Sequence, residues 1–101
     1  MKMLCQVQIP NDTFNAATRD GTVGSKMGRI LEDTRPEVVY FTEIGGKRGA
    51  ILVVDVADAT KIPALAEPWF LTFNADVQFH ILISPEELKR SNLNDLGKKW
   101  S

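Results

Sequence analysis

Along KMLCQVQI (2–9), Met3, Cys5, Val7 and Ile9 fall on one side and Lys2, Leu4, Gln6 and Gln8 on the other. A period of two predicts a strand, which Pro10 ends. Over 12–34 the period lengthens. At about 100° per residue, Phe14, Ala16, Ala17, Val23, Met27, Ile30 and Leu31 share one broad arc with Gly21, Gly24 and Gly28. The polar residues Asn15, Thr18, Arg19, Thr22, Lys26 and Arg29 gather opposite. The pattern predicts one amphipathic helix, kinked near Asp20-Gly21, whose glycines line the buried face and allow close packing. Arg35-Pro36 closes it, since proline disfavours α geometry in the residue before it.

Two runs rich in β-branched and aromatic residues follow, EVVYFTEI (37–44) and KRGAILVVDV (47–56), with Gly45-Gly46 between them. That is a hairpin signal. The second run is apolar on both faces from Ala50 to Val54, as expected of a central strand covered on both sides. Asp58 is placed to cap a second helix, along which Ile62, Leu65, Ala66, Trp69, Phe70 and Phe73 form a core-facing stripe. Pro63 suits its first turn, whereas Pro68 is expected to break or kink it. DVQFHILI (76–83) alternates again. In SPEEL, Ser84 as N-cap, Pro85 at the first helical position and Glu87 three residues on predict a capping box. A third helix follows over about 85–91, with an extension towards Trp100 interrupted near Gly97.

The order βαββαβ plus a terminal helix, with right-handed crossovers, predicts an α+β fold: a ferredoxin-like plait in one domain spanning 1–101. The first and third strands occupy the centre, and both long helices cover one face. The other face carries Leu4, Gln6, Gln8, His80 and Leu82, with either Tyr40 and Leu52 or Phe41 and Val53 from the hairpin. It is too apolar for solvent and too polar for a dry core, which predicts a homodimer pairing through this sheet face.

Composition narrows the partners. With 12 basic and 13 acidic residues and a net charge of −1, the chain lacks the basic surface that nucleic-acid binding requires. No apolar run approaches the roughly 18 residues of a membrane span, and the polar start after ten residues is unlike a signal peptide. The cytoplasm is the expected compartment. A single cysteine, Cys5, rules out an intrachain disulfide. The stretch GTVGSKMG does not match a phosphate-binding loop, whose glycines, lysine and serine or threonine need a different spacing and a preceding strand.

The topology, and in particular the stretch GGKRGAILVVDVADATKIPALAEPWFLTFNADVQFHILISPEEL, resembles the dimeric α/β-barrel superfamily. It looks most like small bacterial members without an assigned function and is distantly similar to muconolactone isomerase-like proteins. The resemblance implies two ferredoxin-like subunits packed sheet to sheet. The superfamily includes cofactor-free monooxygenases, isomerases, haem-handling proteins and ligand binders, so fold alone does not select a function. One expectation is a homodimer that binds a small hydrophobic or aromatic metabolite in its barrel or helix–sheet cleft. The alternative is a cofactor-free isomerase or monooxygenase acting on a phenolic or lactone-like substrate. No cofactor and no metal are expected: one histidine and one cysteine on different faces make no ligand set.

Six residues carry candidate chemistry. His80, the sole histidine, is expected beside Gln6 or Gln8, as a general base among ligand-orienting amides or as a structural residue of the dimer interface. Asp20 is the one carboxylate in the apolar arc of the first helix. Burial there would raise its pKa and make it a proton carrier; as the residue before Gly21 it can equally mark a turn. Tyr40 and Trp69 could stack on a ring, although Trp69 also lies in a core-like segment. Cys5 reads as a buried, inert thiol.

Overall fold

The computed structural model describes Met1–Ser101. Strand β1 is Lys2–Ile9, followed by helices α1 (Asn11–Arg19) and α2 (Val23–Thr34). The hairpin comprises β2 (Val38–Ile44) and β3 (Lys47–Asp55). A short 3-10 turn at Ala59–Lys61 leads into α3 (Ile62–Phe73) and then β4 (Asp76–Ile81). Two short helices end the chain, α4 (Pro85–Arg90) and α5 (Leu93–Lys99). The strands form one antiparallel sheet in the order β2-β3-β1-β4. This is an α+β domain compatible with a ferredoxin-like plait.

The pleat sorts the strands into two faces. Cys5, Val7, Ile9, Ala50 and Leu52 point to the helix side, where Ala17, Ile30, Trp69 and Phe73 cover them. Phe73 stacks on Phe14 with ring centroids 5.8 Å apart, and Thr13 Oγ1 donates to the Phe73 carbonyl at 2.6 Å. These contacts tie α1 to α3 across the sheet. The Gly45-Gly46 turn has φ of +59° and +79°, the pair of positive angles that matches the twist of a two-residue hairpin.

Gly49 has a steric role of its own. A Cβ built there would lie 2.6 Å from Cγ1 of Ile44 and 3.0 Å from the Val7 carbonyl oxygen. Gly49→Ala must therefore displace the hairpin end, and we expect a loss of about 1–3 kcal/mol, measurable by urea unfolding.

Four local expectations are revised. Segment 12–34 is two helices, not one kinked helix. Asp20 caps the first, and Gly21, with φ +81°, makes the turn. The glycines do not line a buried face: Gly21, Gly24 and Gly28 are exposed, and an added Cβ would meet nothing within 4 Å. The turn at Asp20-Gly21 separates α1 from α2, so a single-helix projection over 12–34 does not hold across it. Helix α3 runs through Pro68 unbroken; the carbonyl deprived of a partner there is that of Ala64, an exposed residue. The terminal helix divides at Ser91-Asn92, where Asn92 is left-handed (φ +59°), and Gly97 lies within α5.

Candidate functional site

Register assembles the open face of the sheet. Directly paired residues share a face, so cross-strand rows read His80–Leu4–Val53–Val38, then Gln78–Gln6–Ile51–Tyr40, then Asp76–Gln8–Gly49–Thr42. Neither expected hairpin row is present: Tyr40 pairs with Ile51, whereas Leu52 and Phe41 point to the helix side. The apolar members of these rows, Leu4, Ile51 and Val53, are half-buried, and Tyr40 is 69% exposed.

His80 is exposed and sits opposite Leu4, with Gln6 its diagonal neighbour. The Gln8 side-chain nitrogen donates to the Ile44 carbonyl at 2.9 Å, which commits that amide to holding the hairpin. Gln6, Gln8, Asp76 and Gln78 surround a polar hollow of about 260 Å³.

The other sequence candidates lie elsewhere. Asp20 is exposed, and its Oδ1 accepts from the Thr22 amide at 2.9 Å and the Thr22 hydroxyl at 2.6 Å. Those hydrogen bonds lower its pKa, the reverse of the rise that burial would cause. The expected proton carrier thus lacks its physical basis; the residue builds a turn. Its contribution to stability is present above the ordinary carboxylate pKa and is lost as pH falls through its depressed value. The difference in thermal stability between wild type and Asp20→Ala is therefore expected to narrow in acid, as followed by circular dichroism melts.

Trp69 is 1% exposed and belongs to the core, on the opposite side of the sheet from Tyr40. The two cannot hold one ring between them. His80 and Tyr40 share the open face but stand on its opposite edge strands, three strand spacings or about 14 Å apart. Cys5 is buried, and burial pushes its thiol pKa up to about 11. Asp58 accepts from the Thr60 amide and caps the turn before α3, and Asp55 accepts from the Met1 amino group at 3.1 Å. Neither acid has the other as a partner.

A feature that periodicity missed lies on the helix side. Between α1, α2 and the β2–β3 end of the sheet is an apolar cleft of about 280 Å³. Ile9, Phe14, Val23, Gly24, Met27 and Phe41 are among the residues that line it. Arg48 is its one charged residue. The guanidinium lies 4.3 Å from the Phe14 ring centroid and donates to Asn15 Oδ1 at 2.7 Å. Phe41 remains 58% exposed. The signal in sequence was Phe41 and Arg48 sharing the helix-side parity of the hairpin, a parity that only the pairing register reveals.

The fold and these two surfaces define a small α+β domain with one mixed open sheet face and one apolar helix–sheet cleft. No family model matches the chain, and no curated protein matches it in sequence. No helix is long and apolar enough to cross a membrane.

Proposed function

We propose that the protein is a homodimer of the α/β-barrel type that binds a small aromatic or hydrophobic molecule in the helix–sheet cleft of each subunit. The observation that carries the ligand reading is the cleft itself. It is apolar over most of its wall and has a single cation at its rim. Its volume exceeds the roughly 150 Å³ of a cavity that accepts benzene and lies near the lower end of ligand pockets. Arg48, already oriented by Asn15 and Phe14, can donate two parallel N–H bonds to a carboxylate. A one-ring aromatic acid fits this combination of wall and rim.

The open face supports pairing through the sheet. Leu4, Ile51 and Val53 are half-buried within one subunit, and Val38 and Tyr40 extend their rows with exposed apolar surface. A two-fold copy of the same face would cover both sets at once. The enzymatic alternative lacks a comparable basis, because His80, Asp20, Tyr40 and Trp69 do not converge on one point.

Benzoate and phenol serve as probes, with binding followed by amide chemical shifts. Benzoate is expected to perturb amides around Phe14, Met27 and Arg48 and to bind more tightly than phenol. Arg48→Gln should weaken benzoate about tenfold or more, in line with a charged hydrogen bond, and leave phenol unchanged. Met27→Trp, which fills the cleft, should remove both. Perturbations confined to the face around His80 and Gln6, or none at all, would refute the cleft as the binding site.

A further inference from the structure

The last 19 residues stand away from the domain. Every residue from Ile83 to Ser101 is exposed, including those of both α4 and α5. The radius of gyration is 17.2 Å, against about 13 Å for a compact chain of this length. The longest dimension, 60 Å, is about twice the next, 28 Å. The accessible surface is 7102 Å². A compact monomer of 11.2 kDa exposes about 5,700 Å², leaving about 1,400 Å² in excess. A standard interface buries about 800 Å² on each partner.

This arm is built to pack. Leu93 and Leu96 of α5 and Trp100, the residue that ends it, recur at i, i+3 and i+7, the spacing of one helix stripe. They are 53%, 45% and 78% exposed, and Leu88 of α4 is 47% exposed. Helices of six and seven residues are too short to persist alone in water, so the stripe needs a surface to rest on. Its own subunit is an unfavourable one. The Leu82 amide donates to the Lys2 carbonyl at 3.0 Å, extending the sheet edge to the point where the arm departs. The Ser84–Glu87 capping box then fixes the direction of α4 within three residues. That direction leads away from the body.

We propose that the arm of each subunit packs its Leu93–Leu96–Trp100 stripe against the second subunit, as a reciprocal clasp around the two-fold axis. The inference rests on the homodimer proposed above. It adds that the interface is incomplete without residues 83–101. Beginning at the end of an edge strand of the pairing sheet, the arm is continuous with the face that forms that dimer.

The test uses the full chain. Trp100 emission is taken as the difference between wild type and Trp100→Phe, across a dilution series run in parallel with sedimentation equilibrium. The expected result is a blue-shifted Trp100 signal in the dimer that reverts to solvent-exposed emission on dilution. Leu96→Asp should weaken dimerisation at least tenfold and leave the thermal melt of the monomer unchanged. A blue shift independent of concentration would show the arm folded on its own subunit and overturn the clasp. A dimer whose Trp100 stays solvent-exposed, and which Leu96→Asp does not weaken, would overturn the clasp and leave sheet pairing standing. A wild-type chain that stays monomeric throughout would overturn both.

Discussion

Replacing Trp69 with alanine is expected to destabilise the domain by about 3–5 kcal/mol, the range for removing a large aromatic from a core. Trp69 is 1% exposed and its ring centroid lies 6.4 Å from that of Phe73. Phe73, fully buried, in turn stacks on Phe14. Removing the indole opens a cavity beneath α3 and loosens this aromatic chain, which links α3 to α1. Domains of this size have total stabilities of about 5–15 kcal/mol, so the variant should be close to unfolding. Trp69→Phe, which keeps most of the volume, should cost distinctly less. Urea unfolding by circular dichroism measures both. A loss below about 1 kcal/mol for Trp69→Ala, with benzoate binding abolished, would return Trp69 to the ligand-holding role suggested by its sequence.

Tyr40→Asp is expected to weaken dimerisation by about 100-fold or more, because removing a charge from water without a partner costs several kcal/mol. Tyr40 sits on edge strand β2, exposed on the open face. The isolated subunit should therefore tolerate the carboxylate, whereas a sheet-to-sheet interface should not. Phe41→Asp is the matched control. The neighbouring residue projects to the opposite side of the sheet, beside the cleft. It should remove benzoate binding and leave the dimer intact. Sedimentation equilibrium and the chemical-shift titration together separate the two surfaces. If Tyr40→Asp dimerises as wild type does, the open face is not the interface.

Local signals and long-range ones differ in what they specify in this chain. Gly45-Gly46 and Ser84–Glu87 are local chemistry, and the structure has the hairpin turn and the capping box at those positions. Projection on a continuous helix places Asp20 in the apolar arc, but α1 ends at Arg19 with Asp20 as its cap. A projection assumes uninterrupted geometry, and a positive φ at Gly21 removes that assumption. Tyr40 and Trp69 share a chemical type, but the sheet lies between them.

Alternation and turn chemistry determined the strands, the hairpin and the mixed character of the open face, because these depend on neighbours within a few residues. The apolar alternation of β1 is buried as the period of two requires. Three features depended on contacts distant in sequence and were decided by tertiary structure. The break between α1 and α2 sets how the helices lie on the sheet. The pairing register turns Phe41 and Arg48 towards α1 and α2, creating the cleft, and turns Tyr40 away from Leu52. The exit path of the arm leaves Leu93, Leu96 and Trp100 in solvent. Periodicity specifies which residues share a face, but the element that covers that face is chosen by long-range packing.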